Sequence, residues 1–474
     1  MLTTLNAITL PFIGEVNLSG GILLIFLFCL LCVVAFEFVN GFHDTANAVA
    51  TVIYTRALKP QIAVPWSGAF NFLGVFVGGV AVAMGILKLV PLNELMVLPV
   101  QVGACMVISV LLASIIWNLG TWYLGIPCSS SHTLIGAMIG GGLGFTYFYG
   151  GAGVNWGKAG EIGMSLILSP VFGFGAAVLL MLFLKHVVKS HSLFHIPQGP
   201  NDKPPIFIRL LLITTCTLVS FFHGSNDGQK GVGLLMLILI AFLPAKFAID
   251  HSVPDDKIVI ALNNTQQTLQ KTLLANPAKQ ADINTLSALI TTTKEDLINK
   301  NSTDPKLTFK VRKEIQTVNK TIKGFITDPK MTIPETDKAE FHTASSELTR
   351  VTDFAPIWVI ATISISLGIG TMIGWKRIVV TIGEKIGNEH LNYAQGATSE
   401  IVAAATIGLS TGFGLPVSTT HVLSSGIAGS MVASGGSKNL NAGTLKSIAM
   451  AWILTLPVSI ALALGLFFLF HLFV

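Results

Sequence analysis

The sequence predicts an all-α polytopic membrane protein. Of its 474 residues, 51% are hydrophobic and 11% are charged, and the mean hydropathy is +0.70. A soluble domain carries about 25% charged residues, so this composition excludes a soluble globular protein, a disordered chain and a nucleic-acid-binding protein. The 46 glycines are spread among apolar runs, which is typical of helices that pack closely in a membrane.

Apolar runs of the length that a membrane helix requires recur along the chain. A span needs about 20 such residues. Candidate runs lie near 20–39, 62–87, 96–124, 133–149, 161–187, 206–222, 231–249, 354–375, 397–413, 421–434 and 447–474. Short breaks with Gly or Pro separate several of them, so we predict ten to twelve transmembrane helices, some of them broken. The first run is too long for a cleaved signal peptide and lacks preceding basic residues.

The stretch 250–353 differs from the rest of the chain. It contains fourteen Lys or Arg and fourteen Asp or Glu residues, and it has no apolar run long enough for a span. Its Thr-, Lys- and Asp-rich pattern is that of amphipathic helices. We therefore predict a soluble helical insertion, in the form of a hairpin or small bundle.

Two motifs occur twice. NGFHDTANA (40–48) is similar to HGSNDGQKG (223–231), and IPCSSSHTLIGA (126–137) is similar to LPVSTTHVLSSG (415–426). Asp44 precedes Pro127 by 83 residues, and Asp227 precedes Pro416 by 189 residues. The excess is almost the length of the insertion, so two halves match in order and spacing once it is removed. The first repeat would span 1–190, and the second would consist of 206–249 and 354–474.

The distribution of basic residues predicts that the two repeats are inverted. With the N-terminus outside, the loops at 56–59, 185–209, 376–385 and 438–446 face the cytoplasm and hold most basic residues outside the insertion. Corresponding loops of the two halves then lie on opposite sides, and the insertion lies outside the cytoplasm. Inverted repeats are typical of secondary transporters, which bind substrate at the midplane between broken helices.

The first motif places ionisable residues at the end of an apolar run. His43, Asp44 and Asn47 lie in one copy, and Asp227 occupies the position equivalent to Asp44 in the other. An ionisable group in the bilayer costs about 2.5–3.5 kcal/mol and usually faces a pathway or a partner. Two equivalent carboxylates suit a cation or proton site, although Asp and Asn also cap broken helices. Occurrence in both repeats favours the functional interpretation.

The second motif predicts an anion site. Pro127 and Pro416 each end a helix, and each is followed by Ser and Thr residues that start the next one. A helix N-terminus presents unpaired N–H groups and about half a positive charge, which suits an anion. Two such ends from opposite halves would converge on one oxyanion. Ordinary helix capping is the alternative, and the second copy again favours function.

At these motifs the sequence strongly resembles the inorganic phosphate transporter (Pit) family, particularly the bacterial low-affinity phosphate permeases. FVNGFHDTANAVATVIYTRAL (38–58), HGSNDGQKGVG (223–233) and the two proline motifs carry the resemblance, which covers nearly the whole chain apart from 250–353. The family pattern G-x-N-D is present at 224–227 but reads G-F-H-D at 41–44, with His43 where sodium-coupled members typically have Asn. The resemblance implies a multi-pass protein of the bacterial inner membrane that imports phosphate with a cation. In similar bacterial members that cation is a proton, and the cargo is commonly a neutral complex of hydrogen phosphate with a divalent metal.

Carried over by motif, the resemblance also implies which residues bind the cargo. Hydroxyls, helix N-termini and neutral amides would hold the phosphate oxygens; these residues are Asn47, Ser129, Ser130, Ser131, Asn226, Gln229, Ser418, Thr419 and Thr420. His43, Asp44 and Asp227 would form the cation-coupling cluster, because histidine titrates near neutrality whereas sodium favours oxygen ligands. Lys230 could pair with Asp227 or serve as an anchor facing the cytoplasm or a cavity. The metal ligands stay unassigned, and no cofactor is expected beyond the transported ions.

Other functions share parts of this pattern. A permease for sulfate or another tetrahedral oxyanion is the nearest alternative, but a carboxylate acceptor would favour hydrogen phosphate, which carries a proton. Sodium-coupled phosphate symport is a second alternative. Ser131 and His132 could suggest an intramembrane hydrolase, but a catalytic Ser and His must meet in space beside an oxyanion hole, which neighbours at one helix start do not do. The expected partners are phosphate, a proton or sodium ion, magnesium or another divalent metal, and the lipid bilayer; a homodimer is left open.

Overall fold

The structure, a computed structural model, describes residues 8–188, 190–199, 202–299 and 304–474. Lys189 and residues 1–7 of the predicted first repeat therefore lie outside the described part. The chain divides into two compact units. We call the described residues up to 12 with 17–238 and 356–474 the membrane unit, and 13–16 with 239–355 the insertion unit.

The chain is almost wholly helical. Up to the insertion its elements are β1 (Ile8–Leu10), β2 (Gly14–Val16), α1 (Gly20–Asp44), α2 (Ala46–Tyr54), α3 (Pro60–Val77), α4 (Ala81–Leu87), α5 (Leu92–Leu95), α6 (Val100–Tyr123), α7 (Ser130–Tyr149), α8 (Trp156–Val187) and α9 (Ile206–Phe242). The insertion unit contains α10 (Pro244–Phe247), α11 (Asp255–Ala275), α12 (Gln280–Asn299), α13 (Pro305–Thr327) and α14 (Glu335–Thr352). The membrane unit continues with α15 (Ile357–Met372), α16 (Lys376–Val380), α17 (Tyr393–Gly412), α18 (Thr419–Gly435) and α19 (Ala442–His471). Short 3-10 helices lie at His191–Phe194, Pro277–Lys279 and Ser437–Asn439, and a π-helix at Thr381–Lys385.

Among the described residues, five helices are long and apolar enough to cross a membrane. They are α1 continued into α2, and α6, α8, α9 and α19. Two bent pairs, α3 with α4 and α14 with α15, would raise the number to seven. The predicted membrane protein with many helices is confirmed at this level. The count of ten to twelve spans stays a prediction.

The region 206–249 differs from its prediction. We expected two runs, 206–222 and 231–249, but α9 continues without a break from the first run into the second, as one helix of 37 residues that ends at Phe242. Gly224 and Gly228, which lie between the two expected runs, are places where α3 approaches closely. A Cβ on Gly224 would lie 2.1 Å from the carbonyl oxygen of Asn71, and one on Gly228 would lie 2.2 Å from a methyl group of Val75. Small residues allow this packing without interrupting the helix.

Small residues also position the two helices that follow the prolines. On α7, a Cβ at Gly136 or Gly140 would lie within 2.2 Å of atoms of α19. On α18, a Cβ at Gly429 would lie 2.5 Å from a backbone oxygen of α8. The helix after each proline is therefore held against a long helix, α7 against α19 and α18 against α8.

The insertion unit has a core of its own. Ile283, Leu286 and Ile290 follow the spacing of one helix face and are at most 2% exposed. They belong to a cluster with side chains from α11, α13 and α14, including Leu262, Ile315 and Leu348. Most charged residues occupy the outer faces, as in the ion pair between Lys338 and Glu335, whereas Arg312, Glu314 and Asp337 are buried. The amphipathic pattern thus produces packed helices with a charged surface.

Candidate functional site

The two proline motifs meet inside the membrane unit. Ser129 caps α7 by accepting the N–H of His132 at 3.2 Å, and Ser418 caps α18 by accepting the N–H of His421 at 3.2 Å. The hydroxyl of Ser131 donates to the carbonyl oxygen of Val417 at 2.6 Å. The rings of His132 and His421 have centroids 4.5 Å apart. The first backbone N–H groups of α7 and α18 have no partner within their own helices, so each of these helix ends carries a partial positive charge. The contacts between the two motifs bring these two ends close together.

Asp44 lies between these helix ends. Its Oδ2 accepts the hydroxyl of Ser130 at 2.7 Å, and its Oδ1 accepts the hydroxyl of Thr420 at 2.8 Å. The amide of Asn47 donates to Asp44 Oδ1 at 3.3 Å, to Thr419 at 3.2 Å and to Thr420 at 2.9 Å. One carboxylate thus contacts a hydroxyl from each motif. The break between α1 and α2 at Thr45 keeps helical dihedral angles, so Asp44 and Asn47 stay on one helix face.

Asp227 and Lys230 lie on α9 and join the same cluster. Lys230 Nζ is 2.8 Å from Asp227 Oδ2 and 2.5 Å from the hydroxyl of Ser131. The hydroxyl of Ser130 lies 3.4 Å from Asp227 Oδ2 and so connects both aspartates. Of the two interpretations left open for Lys230, the structure shows pairing with Asp227. The lysine is 1% exposed, so it is not an anchor in solvent.

A histidine that the sequence analysis did not assign completes this cluster. His223 Nε2 lies 3.8 Å from Asp44 Oδ2 and 3.6 Å from Asp227 Oδ2. Its Nδ1 is 3.0 Å from Asn71 Oδ1, which fixes the ring. Ligand atoms of Asp44, His223 and Asp227 all lie within 4.8 Å of one another, as in a group that could hold a metal ion. Among the described residues, neither Asp227 Oδ1 nor His223 Nε2 has a hydrogen-bond partner.

His43 lies beside this group. Its Nδ1 is 3.3 Å from Asp44 Oδ1, and its Nε2 is 3.2 Å from the hydroxyl of Thr121. Each ring nitrogen therefore has a polar neighbour. The neighbour of Nδ1 is the Asp44 carboxylate, which also contacts both proline motifs. His43 and Asp44 are each 1% exposed.

Two predicted residues have side chains that are used elsewhere. The amide of Asn226 bonds to Thr411 and Leu415 and accepts the N–H of Val417, so it holds the chain before α18. The amide of Gln229 bonds to the carbonyl oxygen of Gly78 and accepts the N–H of Val82, so it holds the bend between α3 and α4. These contacts give both residues structural roles, and their binding of phosphate stays a prediction without support from a contact.

Two buried glutamates also belong to the membrane unit. Thr51 and Thr215 donate their hydroxyls to the carboxyl group of Glu400, which is fully buried. Glu37 is fully buried as well and accepts the amide of Asn40 at 3.4 Å. Glu400 lies in the predicted run 397–413, where a single acidic residue among apolar ones was the signal that could have identified it.

Comparison with known proteins identifies the class of protein to which this arrangement belongs. The sequence profile of the phosphate transporter family matches residues 40–463. The low-affinity inorganic phosphate transporter PitA of Escherichia coli (strain K12) is 40% identical over 96% of this chain and 97% of its own length. PitB of Escherichia coli (strain K12), also a low-affinity inorganic phosphate transporter, is 39% identical over 97% of this chain and 98% of its own length. The low-affinity inorganic phosphate transporter of Buchnera aphidicola subsp. Acyrthosiphon pisum (strain APS) is 39% identical over 94% of this chain and 96% of its own length.

A solved structure supports the fold. The sodium-dependent phosphate transporter aligns with a TM-score of 0.54 at 21% sequence identity, over 95% of this chain and 100% of that one. Together with the buried polar cluster between two helix ends, these matches describe a membrane transporter rather than an enzyme. The chain belongs to the phosphate transporter family. It is a multi-pass protein of the bacterial inner membrane.

Proposed function

We propose that the chain imports inorganic phosphate together with a divalent metal ion, driven by a proton gradient, by alternating access of two inverted repeats. The observation that carries this proposal is the meeting of both proline motifs and both repeat-related aspartates, Asp44 and Asp227, in one buried cluster. Family membership supports phosphate as the transported anion. The coupling ion and the form of the cargo rest on the chemistry of the cluster.

Helix packing supports the inverted arrangement. The hydroxyl of Tyr149, at the end of α7 and just before α8, lies 3.3 Å from His471 at the end of α19. Lys185, near the end of α8, donates to the carbonyl oxygen of Ser434 at 3.1 Å, shortly before α19 begins. The equivalent helices α8 and α19 therefore run in opposite directions. Each also has one internal proline near its middle, Pro170 or Pro457.

Charge favours a metal complex of phosphate over the free anion. With His43 and His223 neutral, the charged side chains Asp44, Asp227 and Lys230 have a formal charge of −1, and a bare hydrogen phosphate dianion would add two further negative charges within a few ångströms. A divalent metal ion bound to the phosphate would cancel these two negative charges. The open atoms Asp227 Oδ1 and His223 Nε2 are suitable ligands for such a metal, while Ser and Thr hydroxyls and the ends of α7 and α18 suit the phosphate oxygens.

We assign the coupling proton to His43. An imidazole that contacts both a carboxylate and a hydroxyl can gain and lose a proton as its surroundings change, and Asp44 links it to the site at 3.3 Å. Every side chain of the cluster is at most 2% exposed, so the cargo can enter or leave only after a conformational change. Opening toward one side and then the other is the motion that inverted repeats provide.

Purified protein in liposomes tests this proposal. Uptake of labelled phosphate is measured with a proton gradient, a sodium gradient or no gradient, each with and without magnesium. We expect uptake that requires the proton gradient and magnesium and that excess sulfate does not suppress. Uptake driven by sodium alone would support sodium-coupled symport instead. Suppression by sulfate would support the wider oxyanion permease.

A substitution tests the coupling residue. His43→Asn replaces the imidazole with the amide found at the equivalent position, Asn226. We expect this variant to lose accumulation driven by the pH gradient. If it accumulates phosphate in sodium-free medium with the same pH dependence as the wild type, His43 is not the coupling group.

We also propose that the insertion lies outside the cytoplasm. A cysteine introduced at the exposed Lys271, in α11, tests this topology in whole cells. Labelling by a membrane-impermeant maleimide after permeabilising only the outer membrane is expected. Labelling that requires disruption of the inner membrane would place the insertion in the cytoplasm.

A further inference from the structure

The two halves of the site differ at one repeat-related position. When Asp44 is aligned with Asp227, Asn47 falls on Lys230. In the second motif, the same internal alignment places Ser131 on Thr420. A neutral amide in the first half thus corresponds to an ammonium group in the second.

These two residues make equivalent contacts. Asn47 donates to Asp44, the aspartate of its own half, at 3.3 Å and to Thr420, in the opposite half, at 2.9 Å. Lys230 contacts Asp227, the aspartate of its own half, at 2.8 Å and Ser131, in the opposite half, at 2.5 Å. The position, the donor role and the choice of partners are the same. They differ in one unit of positive charge and in the amide oxygen, which Asn47 has and Lys230 lacks.

That difference changes what each aspartate requires. Asn47 is neutral, so the charge of Asp44 is balanced only when a neighbouring histidine, His43 at 3.3 Å or His223 at 3.8 Å, carries a proton. Among the described residues, Asn47 Oδ1 has no hydrogen-bond partner. A carboxylate beside an open amide oxygen has the hard oxygen ligands that a small cation prefers. Asp227 Oδ2 already has a cationic neighbour, the Nζ of Lys230, at 2.8 Å. A buried carboxylate with such a partner does not require an imported monovalent cation at that oxygen.

We propose that Lys230 is a built-in cation that takes the place of a transported monovalent cation at Asp227. Coupling to an imported cation then passes through the Asp44 half. Asp227 keeps Oδ1 open for the metal ion of the cargo. This inference rests on the proposed function, because it concerns the cation requirement of the same transport cycle.

Restoring the repeat-related amide tests the proposal. Lys230→Asn removes the charge and supplies an oxygen ligand, whereas Lys230→Met removes the charge and supplies none. Lys185→Asn is the matched control, because the bonds that Lys185 donates within the described part of the chain go to backbone oxygens at the end of α18. Phosphate uptake into proteoliposomes is measured with magnesium and a pH gradient, in sodium chloride or in choline chloride of equal concentration.

We expect equal uptake in both salts for the wild type and for Lys185→Asn. Lys230→Asn should lose about tenfold or more of its uptake in choline, because an unpaired buried carboxylate is costly, and sodium should restore at least part of that loss. Lys230→Met should be slow in both salts. Lys230→Gln carries the same prediction if Lys230→Asn is not recovered as a monodisperse protein.

Two results would overturn the inference. Uptake by Lys230→Asn at the wild-type rate in choline would show that the charge is unnecessary. A raised KM for phosphate that sodium does not change would assign Lys230 to the anion instead. If the wild type itself transports no phosphate, the proposed function fails, and that outcome is visible before any variant is compared.

Discussion

The two compact units contain nearly the same ion pair in opposite surroundings. In the membrane unit, Lys230 follows Asp227 by three residues on one helix, and its Nζ lies 2.8 Å from Asp227 Oδ2. Both side chains are at most 1% exposed. In the insertion unit, Lys338 lies 2.7 Å from Glu335 with the same spacing, but the side chains are 34% and 86% exposed. Distance and spacing are alike, so the two pairs differ in their exposure to solvent and in the polar neighbours that surround the buried one. An exposed pair contributes about 0–1 kcal/mol, whereas breaking a buried one costs about 3–5 kcal/mol.

The largest effect is therefore expected at the buried pair. Asp227→Asn removes a ligand of the cluster and leaves Lys230 as an unpaired charge within the membrane unit. We expect phosphate uptake in proteoliposomes to fall by about 100-fold or more. Glu335→Gln, at the exposed pair, is the matched control and should leave uptake unchanged. Similar uptake by Asp227→Asn and the wild type would remove the distinction between the two pairs.

A second effect of comparable size is expected in the core of the insertion unit. Ile315 on α13 is fully buried, and Ile315→Ala should destabilise the surrounding helices by about 2–5 kcal/mol. Hydrogen exchange of backbone amides in α11–α14, measured on the full chain, reports this as faster local opening. Ile298→Ala is the control, because Ile298 is 74% exposed. Equal protection in both variants would show that the described core does not hold these helices together.

The sequence predicted the features that depend on local chemistry. A proline followed by Ser and Thr predicted a helix start, and α7 and α18 begin at Ser130 and Thr419. The change in charge after Asp250 predicted amphipathic helices, which the insertion unit contains. Both signals lie within a few residues of the feature they predict.

Features that depend on neighbours distant in sequence were not predictable. A glycine such as Gly224 is compatible with a helix break and with a close contact between helices, and the sequence does not distinguish the two. The position of Asn71 on α3 identifies a close contact. Asn226 and Gln229 lie in the motif that contains Asp227, but their amide groups donate hydrogen bonds to the backbone carbonyl oxygens of Leu415 and Gly78. His223 becomes part of the cluster because α9 brings it within 4 Å of Asp44, 179 positions earlier in the chain.

A smaller effect is expected from one hydroxyl of the cluster. Ser130 donates to Asp44 at 2.7 Å and lies 3.4 Å from Asp227. A hydrogen bond to a charged group contributes about 1.5–3 kcal/mol, so Ser130→Ala should slow phosphate uptake by about tenfold or more. Thr285→Ala in the insertion unit removes an exposed hydroxyl that donates to the carbonyl oxygen of Ala281 in its own helix, and it should have no effect. Equal rates for the two variants would show that Ser130 does not support the site.

The smallest effect on stability is expected at a partly buried carboxyl group of the insertion unit, that of Glu314. Burial and the neighbouring Asp296 raise the pKa of Glu314 from 4.5 to about 7, although Lys310 partly offsets this. Because the folded state then binds a proton more tightly than the unfolded state, Glu314 contributes stability below about pH 4.5, and that contribution is lost as the pH rises through 7. Protection factors of the amides in α13 should therefore decrease between about pH 5 and pH 8.

Glu314→Gln, which resembles the protonated form, should flatten that pH dependence. Glu340→Gln is the control, because Thr268 and Lys271 lower the pKa of Glu340, so its contribution to stability is fully present between pH 5 and pH 8 and is lost only as the pH falls through that lowered pKa. If Glu314→Gln keeps the wild-type slope, the carboxyl group is ionised throughout this range. The insertion unit would then tolerate a partly buried charge, and the contrast with the membrane unit would be weaker than their burial suggests.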